Sequence, residues 1–314
     1  MNIDERVKYY LGNLSLYYNF KKTIKYDYEV DKEKINYTKT DCTNPKIYCI
    51  NKDVLFSNNY ENQIENYVTD LRKHINLLNL KDFKILIAFG DISFKLNKFA
   101  LTKSRPIDSK DNYNILLNLN IKRHWEKLSE INKYDIPFDK KYNRIVWRGS
   151  NTGYYKRGKI RDLFVEKFQN HENKNIDIKY SELFQENKSE IPFILNKLSI
   201  EDQLKNKFIL SIEGNDVATN LKWIMYSNSL VLMPKPTICS WFMEDKLING
   251  KHYIEIKNDF SDLEEKYNWC CNNLDRCKEI VQNAKKYVRQ FLNEENENKI
   301  IKKIIEIYIE TVKI

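Results

Sequence analysis

Histidine and cysteine are scarce in this chain, and neither is spaced for metal or redox chemistry. Four histidines are spread over 314 residues, and the six cysteines (Cys42, Cys49, Cys239, Cys270, Cys271 and Cys277) form no paired C-x-x-C sets. A zinc site is not expected, and the thiols read as reduced and structural. No apolar run approaches the roughly 18 residues of a membrane span. The start, MNIDERVKYY, has no basic region leading into an apolar core, so it does not read as a secretory signal, and a cytoplasmic location is expected. Repeats and low-complexity tracts are missing too. Neither G-x-G-x-x-G nor a Walker P-loop occurs, which removes the usual dinucleotide and nucleoside-triphosphate fingerprints.

What remains is ordinary for a soluble globular protein: 42% apolar and 31% charged residues. The length suits two domains of common size or one large one. The formal charge is +9. That excess either marks anionic partners (nucleotides, phosphorylated glycolipids, a membrane surface, nucleic acid) or reflects a Lys-rich composition alone.

The chain turns on Lys207 to Pro236. Phe208 to Ile212 is an apolar run that fits a buried strand. Glu213-Gly214-Asn215-Asp216 breaks it, with Gly for a tight turn and Asn or Asp as helix N-cap. Val217 to Tyr226 places Val217, Leu221, Ile224 and Met225 at helical spacing. Leu230 to Met233 is a second strand, closed by Pro234 and Pro236. The spacing predicts a parallel β-turn-α-β crossover, whose helix N-terminus offers backbone N–H groups to an anion such as a pyrophosphate.

Elsewhere, Ile64 to Leu80 has helical spacing and Phe83 to Phe89 reads as a buried strand ending at Gly90-Asp91. Asn114 to Leu119 is another short strand. Lys140-Lys141 and the polar stretch before Pro137 resemble an interdomain connection. Arg144 to Trp147 is a strand running into Arg148-Gly149-Ser150-Asn151-Thr152-Gly153. A basic helix follows, with Arg157, Lys159 and Arg161 in its first turns and Ile160, Leu163, Phe164 and Phe168 facing inward. A short strand is expected at Ile176 to Ile178 and another at His252 to Ile256. Ser261 to Glu264 spells a capping box, and Leu274 to Leu292 and Asn298 to Val312 are amphipathic helices. Alternating strands and helices predict α/β architecture with parallel sheets.

Ligands of open α/β sheets bind at the carboxyl ends of strands. Three such ends carry polar clusters: Gly90-Asp91, Arg148 to Thr152, and Glu213 to Thr219. Asp91 is the candidate general base. Arg148, Arg157 and Lys222 are candidates to neutralise a leaving diphosphate. Each also has a plainer role: Asp91 as a cap or salt-bridge partner, the helix cations Arg157, Lys159 and Arg161 as a solvated face. Glu213 either binds a donor ribose or caps locally. Trp147, Trp223 and Trp241 are core residues or acceptor platforms, and His252 is a satisfied structural histidine or an acid–base group.

Val146-Trp147-Arg148-Gly149-Ser150-Asn151-Thr152-Gly153, followed by Arg157, resembles the aromatic-Arg-Gly-Ser/Ala-x-Thr…Arg segment of glycosyltransferase family 90, which holds Rumi-type protein O-glucosyltransferases and capsule or lipopolysaccharide sugar transferases. Lys207 to Pro236 is similar to its second hallmark. Trp241-Phe242, Leu247, His252-Tyr253 and Asp259 to Leu263 are similar to its W-F…L…H-Y…D-L tail. Phe89-Gly90-Asp91 and Thr102 to Pro106 resemble its upstream segments. The stretch Gly214 to Trp223 looks most like the bacterial lipopolysaccharide branch.

The resemblance implies a GT-B fold, two Rossmann-like domains facing across a cleft. The implied division is 1–140 on the acceptor side with the catalytic Asp91, 141–293 binding the nucleotide-sugar, and a C-terminal helix, 294–314, packing back on the first domain. It implies inverting, metal-independent transfer from a UDP-sugar, with no cofactor beyond that donor, and the chain contains no Asp-x-Asp. It points to Arg148, Gly149, Ser150, Thr152, Arg157, Glu213, Gly214, Asn215, Asp216, Ala218, Thr219, Asn220 and Lys222 around the donor, and to Lys103, Ser104 and Arg105 on the acceptor side. Where eukaryotic members have Ser-x-Arg, this chain has Ala218-Thr219-Asn220, so the Arg contact to the donor is missing at Asn220. The expected partners are a nucleotide-sugar, a glycan or glycolipid acceptor and, at the periphery, an anionic membrane. A basic nucleic-acid-binding protein is the rival from another class, but the aromatic and basic face it needs is not seen. A sugar-nucleotide-binding protein without catalysis is opposed by Asp91.

Overall fold

The computed structural model describes residues 1–31, 35, 46–57, 60–107, 112–153, 160–184 and 192–314. The chain divides into two compact units. One joins Met1–Lys122, Thr237–Met243 and Phe291–Ile314, and the other joins Arg123–Pro236 and Glu244–Gln290.

Among the described residues, the first unit carries a four-stranded sheet in the order Tyr48–Asn51, Lys84–Ile87, Ala100–Thr102, Asn114–Leu116. The first pair is antiparallel and the others are parallel. Ile85, Leu86 and Ile87 are fully buried, as a strand covered on both faces requires. The ladder stops at Ile87, two residues before the apolar run ends. Phe89 packs in the core, and Gly90 turns the chain at φ +95°. The helix Glu65–Asn76 buries Tyr67, Val68, Leu71 and Ile75.

Three segments far apart in sequence close this unit. The helix Ile3–Leu11 opens with a capping box formed by Asn2 and Glu5. Its Arg6 makes a bidentate pair with Glu297, at 2.5 and 2.8 Å, on the long C-terminal helix Glu294–Thr311. Trp241 donates to Glu297 at 2.5 Å and stacks on Tyr10 with centroids 3.9 Å apart. Tyr308 accepts from Leu86 N and donates to Phe99 O, fixing that helix to the sheet. After it, Val312–Lys313 pairs in parallel with Ile24–Lys25.

The second unit is built, among the described residues, on a five-stranded parallel sheet in the order Ile254–Glu255, Leu230–Met233, Asn206–Leu210, Tyr142–Ser150, Ile176–Glu182. Ile145, Trp147, Phe208, Leu210 and Leu232 form its core. Trp147 meets Phe164 and Tyr180 edge-on, so its indole is a core group. Tyr180 in turn donates to the buried Asp162 at 2.6 Å. The crossover expected from spacing is present: Asn206–Leu210, the helix Leu221–Tyr226, then Leu230–Met233, with Leu230 opposite Phe208 and Leu232 opposite Leu210.

Local expectations fail where a side chain finds a better partner. The crossover helix begins at Leu221 and not at Val217. Asn220 gives its amide to Leu210 O and accepts from Ser211 Oγ, binding the turn to the preceding strand. The capping box at Ser261 to Glu264 does not form, because Asp262 accepts from Lys257 N and Ser261 N donates to Asp259. Leu163 faces outward, 62% exposed, since the helix Ile160–Phe168 buries Phe164, Val165 and Phe168 instead. The strand at Ile176 runs on to Glu182 along its parallel neighbour. Lys141 is buried against Asp135 at 2.5 Å, inside the second unit.

Candidate active site

In the first unit the chemistry gathers at the carboxyl ends of two adjacent parallel strands. Asp91 follows Lys84–Ile87 through the Gly90 turn, and Lys103 directly follows Ala100–Thr102. The Lys103 ammonium donates to Asp91 Oδ1 at 2.7 Å. Lys103 is almost entirely buried, while the Asp91 side chain keeps about a fifth of its surface in solvent. The Tyr67 ring lies 5.7 Å from the ammonium. Lys103 is thus a partner of Asp91. Ser104 and Arg105, expected on the acceptor side, have other partners. Ser104 Oγ donates to Ile92 O. Arg105 is buried and donates to Tyr9 O, Tyr10 O and Asn114 O, with its guanidinium over the Tyr9 ring. These two residues peg the strand Ser104–Pro106 in place.

In the second unit two turns meet at the carboxyl ends of the neighbouring strands Tyr142–Ser150 and Asn206–Leu210. Glycine makes the approach possible. Gly153 sits at φ +96°, and a Cβ there would lie 2.9 Å from Gly214 O. A Cβ on Gly214 would lie 2.7 Å from Thr152 Oγ1 and 3.1 Å from the Arg161 guanidinium. Gly153 N donates to Asn215 Oδ1 at 2.9 Å. Arg161 clamps the two turns: it donates to Ser150 O, to Thr152 Oγ1 and to Ile212 O, at 2.8, 2.9 and 2.5 Å, and stacks over Trp147. In sequence Arg161 reads as one of the cations of a solvated helix face. The available signal was its place in the first turn of the helix that follows a Gly-rich strand end.

Of the donor-side residues expected from sequence, Ser150, Thr152, Glu213, Gly214, Asn215, Asp216, Ala218 and Thr219 lie in or directly after these turns. Ser150, Thr152, Glu213, Asn215 and Thr219 are half-exposed, and Asp216 and Ala218 are buried. Gly149 is required by its own neighbour, for a Cβ would lie 2.5 Å from the Trp147 ring. Arg148 is committed elsewhere. It donates to Asp177 at 2.9 Å, to Asn196 Oδ1 and to Trp147 O. Burial pushes the Asp177 carboxyl up, but hydrogen bonds and charge from Arg148 and Lys179 outweigh it and hold the group below its ordinary value. Lys222 is also committed: it is buried with Glu244 at 3.6 Å and His124 at 3.4 Å, above the Trp125 ring. Asn220 is tied to Leu210 and Ser211 as described above. Arg157 lies outside the described residues, as do Lys159 and Cys42. His252 accepts from Ile248 N through Nδ1, and burial, then Lys251, lowers its proton affinity, which is the structural role.

Residues 112–314 match the family Glycosyl transferase family 90. The chain belongs to that family. It is therefore a glycosyltransferase, and both turns just described lie in the matched part, whereas Asp91 and Lys103 precede it. Among curated relatives, the chain is similar to O-glucosyltransferase LpsA of Dichelobacter nodosus, with 34% identity over 231 residues, 74% of this chain and 68% of LpsA. Shorter matches are 35% over 109 residues with uncharacterized protein 179R of Invertebrate iridescent virus 6 (32% of this chain, 9% of that protein) and 31% over 91 residues with protein O-glucosyltransferase 3 of Rattus norvegicus (29% and 18%). The chain thus spans most of LpsA and a small part of the other two.

Proposed function

We propose that this glycosyltransferase moves a sugar from a UDP-sugar to a hydroxyl of a lipopolysaccharide, capsule or related glycan, with inversion and without a divalent metal, in the cytoplasm. The proposed architecture is GT-B, with 1–140 serving the acceptor, 141–293 the donor, and 294–314 returning to the first domain. Family membership supports the donor class, and the name of LpsA supports sugar transfer to oxygen. The missing Asp-x-Asp supports metal independence. The observation that carries the reading is the Asp91–Lys103 pair at a strand's carboxyl edge, with about a fifth of the Asp91 side chain open to solvent.

In the proposed reaction Asp91 takes the proton of the acceptor hydroxyl as its oxygen attacks the anomeric carbon. The bond to the diphosphate breaks on the opposite face, and UDP carries away the electron pair. The two turns hold the donor through hydroxyls and amides of Ser150, Thr152, Asn215 and Thr219, with Glu213 placed for the ribose hydroxyls. Arg161 keeps the turns in register. A thermal-shift screen with UDP, GDP, CMP and their sugars tests the donor, because a ligand at 100 times its Kd adds about 2.7 kcal/mol. Stabilisation by GDP or CMP and none by UDP would refute the donor assignment.

A further inference from the structure

The short helix Leu14–Asn19 carries a row of large side chains that the fold does not cover. Leu14 and Ser15 are buried, and Ser15 Oγ donates to Gly12 O, which anchors the helix. Beyond them Leu16 is 52% exposed and Phe20 72%, with Tyr17 and Tyr18 partly exposed between them. Backbone hydrogen bonds close the helix end. Phe20 N donates to Leu16 O and Lys22 N to Tyr17 O, with Lys21 turned into the left-handed region at φ +51°. Residues 16–20 are all exposed, and four large apolar or aromatic side chains in such a run form a patch of the kind that marks an interaction site.

Positive charge rings these side chains. Lys21, Lys22 and Lys25 are exposed. Lys25 is register partner to Lys313 in the parallel pair of Ile24–Lys25 and Val312–Lys313. The Lys313 ammonium donates to Ile309 O at 2.8 Å. The acids nearby are Asp27 and Glu310. A cleft of about 530 Å³ opens beside the helix end, walled by Tyr18, Lys21, Lys22, Thr23 and Glu310.

We infer that this face docks the enzyme on an anionic lipid surface. Phe20, Leu16 and Tyr18 enter the boundary between headgroups and acyl chains, and Lys21, Lys22, Lys25 and Lys313 meet lipid phosphates. Lysine is depleted at protein–protein interfaces, where Arg and Trp dominate. Lysines beside exposed Phe, Leu and Tyr are what a membrane-surface helix presents. Among the described residues no helix is long and apolar enough to cross a membrane, so this attachment is peripheral and reversible. It stands apart from the glycosyl-transfer reading, since lipid binding is measured without turnover.

The test is flotation of the full chain with vesicles of phosphatidylcholine alone or mixed with phosphatidylglycerol, at low and high salt. The chain is expected to float with the anionic vesicles at low salt and to be released by high salt. Lys21→Gln/Lys22→Gln should lower partitioning by ~25-fold, about fivefold for each basic residue near the surface. Leu16→Ser/Phe20→Ser should lower it at least tenfold with no change in melting temperature. Failure of the parent chain to float, or flotation of either variant equal to that of the parent, overturns the assignment. So does sedimentation as a dimer that Leu16→Ser/Phe20→Ser abolishes while flotation persists, because the face would then belong to a second copy.

Discussion

Alanine at three glycines separates the cost of a crowded turn from the cost of backbone strain. At Gly153 both apply: φ is +96°, and the new Cβ would stand 2.9 Å from Gly214 O, a backbone atom that cannot swing away. Left-handed strain costs ~1–2 kcal/mol and overpacking ~1–3 kcal/mol, so Gly153→Ala should lose about 2–5 kcal/mol. Gly214 has no positive φ, and its Cβ would press on the ends of Thr152 and Arg161. The loss there is the Arg161–Thr152 hydrogen bond, about 0.5–1.5 kcal/mol. Gly250 has φ +72° with nothing within 4 Å, so only strain remains, ~1–2 kcal/mol. Urea denaturation at neutral pH measures all three. UDP titration should then show weaker binding for Gly153→Ala and Gly214→Ala and unchanged binding for Gly250→Ala. If Gly153→Ala costs no more than Gly250→Ala, the close approach of the two turns does not exist and the reasoning fails.

The remaining predictions concern buried charge. Lys222→Met removes the buried counter-charge of Glu244 and should cost about 3–5 kcal/mol, most of it recovered in Lys222→Met/Glu244→Leu; urea denaturation of the two variants decides, and equal losses would contradict it. Asp70 and His74 lie one turn apart on Glu65–Asn76 and should oppose each other in pH dependence. Burial pushes Asp70 up to about 6 against the backbone N–H of Ile121, and burial lowers His74 to about 4 despite its bond to Asn118 O. A folded carboxyl above its unfolded value loses stability as pH rises from about 4 to 6, whereas a folded imidazole below its unfolded value gains stability from about 4 to 6.5. Asp70→Asn should therefore leave a rising stability profile in that window, and His74→Gln a falling one. Parallel profiles for both variants and the parent would show that neither group titrates differently in the folded state.

The strands were legible where burial on both faces leaves a continuous apolar run, as at Lys84–Ile87 and Leu230–Met233. The turns were legible because their glycines are forced by contact. Side-chain commitments were not legible. Arg148 and Lys222 look like free cations in sequence, and only the fold sets Asp177 beside one and Glu244 beside the other. Arg161 looked like a solvated residue because its acceptors, Ser150 O and Ile212 O, are backbone atoms that no sequence pattern marks. The first unit could not be delimited either. Arg6, Trp241 and Glu297 come from three distant segments, and their meeting is a matter of topology. The first helix, opened by the Asn2–Glu5 capping box, is visible in the structure alone.

The central claim is that Asp91 is the base of a glycosyl transfer, and Asp91→Asn tests it most directly. The amide keeps the shape of the carboxylate and can still accept a hydrogen bond from Lys103, but it cannot take a proton at working pH. Steady-state transfer from the UDP-sugar that stabilises the parent chain to a glycan acceptor, measured as UDP release above the acceptor-free rate, should show kcat lowered ~100-fold or more, with UDP affinity close to the parent and a lower melting temperature, because the buried Lys103 ammonium loses its counter-charge. Full activity of Asp91→Asn would contradict the account, and so would a loss of activity explained by weaker UDP binding or by unfolding at the assay temperature.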